Sequence, residues 1–281
     1  MPMFDTPSPV RMALSVAFGQ VRIVASDRAE TTAEAYPLDS LNRDDIQAAE
    51  RLRIGYADGQ LFVNDPWPGR SGGSAVVAIT APTGSSLHAL GVATDFLGVG
   101  ELGDCRLRTD LGRIGLDRTG SLQLTSFMGD ITVGHVAGTA EALTDCGDIH
   151  LGRVEGAATI SAKGECDATV REVRGSARLS AEKGDVRIDR ACADVEARTT
   201  QGNIGIGSVA RGSVVAATTF GDVRIGVAGP SGARLSLDSC AGTVYTSLSL
   251  VAARERTDEV VRIHARTVIG DIVVERSCPD G

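Results

Sequence analysis

Apolar and polar residues alternate in short runs along this chain, and each run follows a glycine. The repeated pattern is a glycine, a polar residue and a β-branched residue, and it begins at Gly112, Gly129, Gly147, Gly184, Gly202 and Gly221. Gly164-Glu165-Cys166 is a weaker copy, and with it successive copies are 17 to 20 residues apart. A step of about 18 residues fits two short strands and two turns, and such repeats bury apolar surface only by stacking. The pattern therefore predicts an all-β, parallel solenoid of short two-strand coils.

The alternation also predicts which side chains face the interior of the stack. Side chains on a strand point to opposite faces with a period of two, so the second and fourth residues after each glycine share one face. The first such column is Ile114, Ile131, Ile149, Cys166, Val186, Ile204 and Val223, and the second is Leu116, Val133, Leu151, Ala168, Ile188, Ile206 and Ile225. The inward residues of the return strand are smaller. Large residues facing small ones predict a flat, two-walled coil with little internal space.

Threonine or serine precedes each signature glycine by three or four positions. This hydroxyl column is Thr109, Thr125, Thr144, Ser161, Ser180, Thr199, Thr218, Ser239 and Thr267. Hydroxyl groups at a corner can hydrogen-bond main-chain groups that no neighbouring strand satisfies. We therefore predict a structural role for the column.

The regularity of the repeat divides the chain into three predicted regions. Residues 1–100 carry weaker copies, with a first strand at 12–18 and one short helix at about 41–50, and form a cap region. Residues 101–245 form the regular solenoid, and residues 246–281 form closing strands and a tail. An insertion at about 249–259 interrupts the final repeats. Irregular ends of this kind cover the exposed strand edges of solenoids.

Charge and composition narrow the possible partners and compartment. The 28 basic and 36 acidic residues give a net charge of −8, which argues against binding to nucleic acid or to an anionic membrane surface. No apolar segment is long enough to span a membrane, and the short apolar stretch at 12–18 lacks the features of a signal peptide. Six scattered cysteines without metal-binding spacing suit a reducing compartment. We expect a cytoplasmic protein.

The polar residue of the signature is acidic in most copies, which suggests a ladder of carboxylates along one corner. The candidate ladder is Asp130, Asp148, Glu165, Asp185 and Asp222, with Asn203 in the same slot of one copy. Carboxylates stacked one coil apart could bind Ca²⁺, the only cofactor that the sequence suggests. The alternative is that aspartate is simply favoured in turns and is solvated there.

Two aromatic residues interrupt the polar character of the corners. Phe127 and Phe220 lie just before signature glycines, where most copies are polar. They either tuck under a neighbouring loop or form part of a partner-binding strip, because exposed apolar groups that cluster usually have a function.

No catalytic motif accompanies these repeats. The four histidines lack metal-ligand spacing, and the chain contains no nucleophile elbow, phosphate-binding loop or dinucleotide fingerprint in a strand-to-helix setting. Paired carboxylates on a β-helix could act on a glycosidic bond. Short turns leave little room for a walled cleft, however, and only 4% of the residues are aromatic, so few side chains could stack on sugars.

The motif Ser/Thr-x-x-Gly-Asp-Ile/Val, with an intervening glycine-led strand, resembles the bacterial putative-adhesin family of β-strand repeats. The segment Ala81-Pro82-Thr83-Gly84 matches a turn of that family, and the resemblance covers residues 14–276. It implies a right-handed β-helix-like solenoid and a conjectured adhesive role, and it carries over no catalytic or binding residues.

Together these features predict a non-enzymatic scaffold that presents a rigid face to a protein partner. One alternative is self-association of the coil ends into a filament or a cap-regulated polymer, because terminal strands of a stack are left open. A glycan-active β-helix enzyme is a further alternative, since a fold alone does not define function.

Overall fold

The computed structural model describes residues 2–66, 72–229, 232–248 and 260–277, and the predicted insertion at 249–259 lies outside these ranges. The described residues form 25 β-strands and one α-helix. Most strand pairs are parallel and join strands that are two apart in the chain. The predicted all-β solenoid with two strands per coil and one short helix is therefore confirmed.

The helix, α1, covers Arg43–Arg51. The first eleven strands are β1 (Met3–Asp5), β2 (Arg11–Ser26), β3 (Glu30–Pro37), β4 (Arg53–Ala57), β5 (Gln60–Asn64), β6 (Ala75–Pro82), β7 (Ser86–Glu101), β8 (Cys105–Leu111), β9 (Ile114–Thr119), β10 (Leu122–Met128) and β11 (Ile131–Val136). The others are β12 (Ala140–Cys146), β13 (Ile149–Val154), β14 (Ala158–Glu165), β15 (Ala168–Val173), β16 (Ala177–Lys183), β17 (Val186–Ala191), β18 (Val195–Arg198), β19 (Ile204–Val209), β20 (Ser213–Ala217), β21 (Val223–Val227), β22 (Gly232–Ala241), β23 (Val244–Thr246), β24 (Val260–Ile269) and β25 (Ile272–Arg276).

Contacts between Cα atoms divide the chain into two compact units. Unit 1 comprises Met1–Gly138 and Ala142–Thr144, and unit 2 comprises Thr139–Glu141 and Asp145–Gly281. The predicted boundaries near residues 100 and 245 follow the regularity of the repeat rather than contacts, and they stay a prediction.

In unit 1, the strands β2 and β7 each supply both walls of one coil. β2 pairs in parallel with β5 and then β6 along one edge, and with β7 along the other. The predicted first strand at 12–18 is thus confirmed, and it continues to Ser26 through a corner at Gly19, where φ is 126°. β7 in turn pairs with β8 and β9.

An antiparallel layer covers the β5–β6 edge of unit 1. β4 pairs with β5, β3 pairs with β6, and β1 pairs with β3, all antiparallel. The helix α1 packs Ala48 and Ala49 against Ala75 of β6. The predicted helix and its role in a cap are consistent with this arrangement, because an antiparallel strand and a helix both end parallel stacking.

The start of α1 is fixed by the side chains of Asn42 and Asp45. Asn42 is the N-cap, and its Oδ1 accepts the Asp44 N–H at 2.9 Å. Asp45 in the first turn is only 5% exposed, and its carboxylate accepts main-chain N–H groups of Ser74 and Asp39. Acidic groups are favourable here because the first turn of a helix carries partial positive charge.

Unit 2 contains two parallel walls. In one wall β13, β15, β17, β19 and β21 pair in that order, and in the other β14, β16, β18 and β20 do so. The inward side chains of the first wall stack in register and none is more than 2% exposed: Ile149, Ala168, Val186, Ile204 and Val223 in one column, and Leu151, Val170, Ile188, Ile206 and Ile225 in the next.

The predicted register of the Gly164 copy is wrong by two residues. Ala168, not Cys166, pairs with Ile149 and Val186, and Cys166 stands in the place of the signature glycine. One residue of this shift comes from a bulge between Ala162 and Glu165, with Gly164 at a φ of 73°. The other comes from Ala162, which stands where Ser161 was predicted. One extra residue in a strand shifts everything after it, and glycine at positive φ commonly marks such a bulge.

The last coil in the chain is not the last coil in the stack. β24 pairs with both β20 and β22, and β25 pairs with both β21 and β23. The closing strands thus insert between two coils that precede them in sequence. As a result, β22 and β23 form the outermost coil among the described residues of this end of unit 2.

Candidate functional site

The signature glycines form one corner of the coil, where consecutive backbones approach closely. In unit 2, Gly184, Gly202 and Gly221 have φ values of 153°, 155° and 146°. A Cβ atom on Gly202 would lie 2.0 Å from the carbonyl oxygen of Gly184. Glycine is therefore required at this position both by backbone conformation and by space.

The hydroxyl column bonds to the same glycine carbonyl groups. The hydroxyls of Thr199, Thr218 and Thr267 donate to the carbonyl oxygens of Gly184, Gly202 and Gly221 at 3.0, 3.0 and 2.9 Å. This confirms the predicted structural role for these three threonines. In the coils of β14 and β16 the prediction is wrong by one residue: Ala162 and Ala181 stand in this position, since Ser161 pairs with Ser180 and Ser180 pairs with Arg198. In unit 1, Ser126 rather than the predicted Thr125 occupies the slot, since it pairs with Thr109 of the neighbouring coil.

The acidic corner of unit 2 is a ladder of hydrogen bonds between carboxylates and main-chain N–H groups. Asp148 Oδ1 accepts the Asp167 N–H at 2.9 Å, and Asp185 Oδ1 accepts the Asn203 N–H at 2.7 Å. Among the described residues of unit 2, the side chains that bond to the next coil in this way are Asp148, Asp167, Asp185, Asn203, Asp222 and Asp271. Glu165, predicted for this ladder, is replaced by Asp167 because of the bulge, and Asp130 belongs to unit 1.

These bonds give the ladder a structural role without a metal ion. Each side chain holds the turn of the next coil, and the amide of Asn203 does the same as its carboxylate neighbours. Within the described ranges, no group of three or more histidine, cysteine, aspartate or glutamate side chains has an arrangement suited to a metal ion. Calcium binding at this corner stays a prediction.

Phe127 and Phe220 are both exposed, at 53% and 47%, and each lies in a different unit. Phe127 adjoins Met128, which is itself 47% exposed. Phe220 forms an isolated parallel β-bridge with Ile269, which is 50% exposed. Each phenylalanine therefore contributes to a small apolar patch on its own unit, and partner binding by these patches stays a prediction.

A groove on the outer face of unit 2 is the feature that sequence reasoning missed. It has a volume of about 1430 Å³ and runs across strands β17, β19 and β21. Its floor includes Gly205 and Gly207 of β19, and Gly205 pairs with Arg187 on one side and Arg224 on the other. The depression arises because Gly205 has no side chain while both of its neighbours across the sheet carry long ones.

The two floor glycines differ in what they do for the fold. A Cβ atom on Gly207 would lie 2.7 Å from the carbonyl oxygen of Asp189, so this glycine is needed for close packing of the backbones. A Cβ atom on Gly205 would meet nothing within 4 Å. Glycine within a strand weakens it. Gly205 thus has no packing role, and its effect is to keep the groove open.

Charged side chains of both signs line the groove. Arg187 Nε lies 2.8 Å from Asp189 Oδ1, and this hydrogen bond raises the pKa of the guanidinium above its ordinary value. Arg224 Nη2 lies 3.9 Å from Asp222 Oδ2. Glu275 and Arg276 line the groove as well. The groove can therefore form ion pairs with a partner that carries charges of either sign.

The comparisons with known proteins support a single family. A model of the family Toastrack DUF4097 matches residues 11–275. None of the curated proteins is similar enough in sequence to match. Within the described ranges, no helix is long and apolar enough to cross a membrane.

Several solved structures resemble the chain over nearly its whole length. One from Bacteroides fragilis, titled a putative adhesin, has 14% identity and a TM-score of 0.36, covering 97% of this chain and 95% of that chain. One from Parabacteroides distasonis, also titled a putative adhesin, has 14% identity and a TM-score of 0.39, covering 98% and 95%. Another from that organism, titled a putative lipid binding protein, has 12% identity and a TM-score of 0.42, covering 98% and 95%. Since its family model spans nearly all of the repeats, the chain belongs to the Toastrack DUF4097 family.

Proposed function

We propose that this chain is a non-enzymatic binding protein whose glycine-floored groove in unit 2 receives a segment of a protein partner. The observation that carries the proposal is Gly205, which has no packing role and leaves an open depression between Arg187 and Arg224. Parallel walls with a fully buried interior make the face rigid, so little conformational entropy is lost when a partner binds.

The chemistry of the groove favours a polar partner with charges of both signs. Arginines and carboxylates both line it, and none of its lining residues is a histidine or a cysteine. Mixed charges favour correct pairing and suppress wrong partners more than they add affinity. A segment of protein with charges of both signs satisfies this surface better than a nucleic acid, which is uniformly anionic.

The test fills the groove without disturbing the fold. We expect Gly205→Trp to abolish a protein contact that the wild-type chain makes in its native cell, as measured by cross-linking and mass spectrometry. Thr132→Trp is the matched control, because Thr132 occupies the same repeat slot on β11 of unit 1 and is exposed. Equal capture of the same proteins by wild type and both variants would contradict the proposal.

A second candidate function is self-association through the outermost coil of unit 2. Leu235 and Leu237 of β22 point inward but are only half-buried, because among the described residues β22 pairs with β24 alone. An edge strand with free main-chain groups can pair with a second copy of the chain. The predicted filament or cap-regulated polymer would form in this way.

Sedimentation at increasing protein concentration tests the second candidate. We expect wild type to associate and Leu237→Lys to remain monomeric. Ser236→Lys, on the outward face of the same strand, is the control and should associate like wild type. A wild-type chain that stays monomeric at every concentration removes this candidate.

The proposed setting is the cytoplasm, which the free cysteines and acidic charge favour. Fractionation of the native cell tests this location directly, and recovery of the chain in the extracellular or membrane fraction would contradict it.

A further inference from the structure

Two cysteines of unit 2 lie side by side at the bulged corner. A Cβ atom placed on Gly164 would lie 3.6 Å from Cys146 Sγ and 3.8 Å from Cys166 Sγ, so both sulfur atoms approach the same point. The bulge is responsible, because it puts Cys166 into the slot of the signature glycine and leaves Gly164 without a side chain between the two thiols.

The backbone register places these residues within the range of a disulfide. Cys166 lies beside Gly147, whose N–H donates to Cys166 Sγ at 3.0 Å, and Cys146 directly precedes Gly147. Neighbouring strands are about 4.8 Å apart and successive residues about 3.3 Å apart, so a diagonal pair has Cα atoms roughly 6 Å apart. Disulfides form across Cα distances of about 4.4 to 6.8 Å.

The two thiols differ in their access to solvent. Cys146 is exposed, whereas Cys166 is 2% exposed. Burial raises the pKa of the Cys166 thiol above its ordinary value, so it stays protonated under neutral conditions. An oxidant therefore reaches Cys146 first, and Cys166 is placed to react second.

We propose that Cys146 and Cys166 form a reversible disulfide when the chain meets hydrogen peroxide, which makes this corner a redox-modification site. Cys146 sulfur attacks the peroxide, the O–O bond breaks, and sulfenic acid and one water result. Cys166 sulfur then attacks the sulfenic sulfur, the S–O bond breaks, and the hydroxyl leaves with the Cys166 proton as a second water. Two thiols are thus oxidised by two electrons, and one peroxide is reduced to two waters.

The site is independent of the proposed groove, which contains neither cysteine. A bond between Cys146 and Cys166 ties β12 to the bulged end of β14 across one coil. A cross-link of this kind restricts the unfolded chain and slows local opening of the corner. We therefore expect the oxidised chain to melt at a higher temperature than the reduced chain.

Peptide mapping of the full chain after peroxide treatment tests the proposal. We expect a cross-linked peptide that contains Cys146 and Cys166, lighter by two hydrogen atoms and separated by dithiothreitol. Cys146→Ser should abolish both the cross-link and the rise in melting temperature. Cys240→Ser is the matched control, because Cys240 is also an exposed thiol of unit 2, and it should retain both.

A second variant distinguishes the order of reaction. Cys166→Ala should leave Cys146 as a sulfenic acid that dimedone traps, whereas the wild-type chain should show little trapping. Three results would overturn the proposal: a cross-link between Cys146 residues of two chains, further oxidation of Cys146 with the Cys166 thiol intact, or no reaction at Cys146. If Cys166→Ala does not fold, the presence or absence of the cross-linked peptide in the wild-type chain is the test of the proposal.

Discussion

At the scale of single residues, the corner of each coil combines three interactions that repeat from coil to coil. The glycine allows the close approach of two backbones. The hydroxyl three residues before it donates to the carbonyl group of the glycine in the preceding coil, and the polar residue after it accepts a main-chain N–H of the following coil. Each group satisfies a main-chain atom that the strands leave unpaired, and buried main-chain groups without partners are costly.

We predict that Gly202→Ala destabilises the chain by about 3 kcal/mol, because the new Cβ atom meets the Gly184 carbonyl oxygen and the backbone is strained at φ 155°. Gly205→Ala is the control from the same coil. Its Cβ atom meets nothing, so stability should be unchanged or higher by about 0.5 kcal/mol. Urea unfolding measures the free energy of unfolding of both variants. Equal losses of stability would contradict the conclusion that the corner, and not the groove, requires glycine.

We predict that Asp185→Asn leaves stability nearly unchanged, while Asp185→Ala lowers it by about 1 kcal/mol. The reason is that an amide oxygen can accept the Asn203 N–H as the carboxylate does, which Asn203 itself demonstrates in the next coil. Thermal melts with and without Ca²⁺ extend the test to the metal hypothesis. A Ca²⁺-dependent rise in melting temperature that both variants lose would instead favour the calcium ladder.

We predict that Cys105 resists alkylation by iodoacetamide at pH 8, while Cys146 reacts. Burial is the main reason that the pKa of Cys105 is raised to about 12, and the charge of Asp104 adds to the effect. A raised pKa means that the reactive thiolate is absent below that value, so reactivity should appear only on unfolding. Mass spectrometry with and without urea provides the measurement, and rapid labelling of Cys105 in the folded chain would be inconsistent with its burial.

At the scale of strands, the outward side chains determine what a partner contacts. These outward residues differ from strand to strand, whereas the inward residues stay aliphatic. In unit 2, the inward columns of β17 and β19 are uniformly aliphatic. The outward residues change from arginine and aspartate on β17 to glycine on β19, which creates the groove. Inner positions are constrained by stacking in both directions, whereas outer positions are free to specify binding.

We predict that Phe127→Ser and Phe220→Ser each change the melting temperature by less than about 2 °C, because both side chains are about half exposed and bury little area. Differential scanning calorimetry is the measurement. Ile204→Ala, which empties a buried position, is the destabilising control and should cost about 3 kcal/mol. A large loss of stability from either phenylalanine change would show that its role is packing rather than binding.

At the scale of the whole chain, the order of coils differs from the order of sequence. Gly270 stacks on Gly221, and the Asp271 N–H donates to Asp222 Oδ1 at 2.9 Å. Gly242, which comes earlier in the chain, stacks instead on Gly270. The coil of β24 and β25 is therefore held from both sides, and the earlier coil of β22 and β23 is held from one side only within the described residues.

We predict that this order determines protection from hydrogen exchange. Amides of β24 should exchange as slowly as those of β20, while amides of β22 should exchange much faster, because strands with one neighbour open more easily. Exchange followed by mass spectrometry resolves these segments. Faster exchange in β24 than in β22 would be incompatible with the inserted position of the last coil.

The sequence was sufficient to predict the solenoid, the short helix, the inner columns outside the Gly164 copy and most of the hydroxyl column. These features depend on residue periodicity and local turn chemistry, which are read along the chain. The bulge at Gly164 escaped prediction, because Gly-Glu-Cys imitates the signature. The true corner lies two residues later, so that Asp167 stands in the ladder in place of Glu165.

The sequence by itself determined the coil, because most repeats carry a glycine, a hydroxyl and an aliphatic pair, and similar units can bury those aliphatic residues only against one another. Only the tertiary structure decided which coil lies beside which, and so which outward residues meet. The groove needs Arg187, Gly205 and Arg224 side by side, the thiol pair needs a one-residue bulge, and the inserted last coil joins positions nearly fifty residues apart. Such neighbours are set by stacking across strands, a direction that a pattern along the chain does not record.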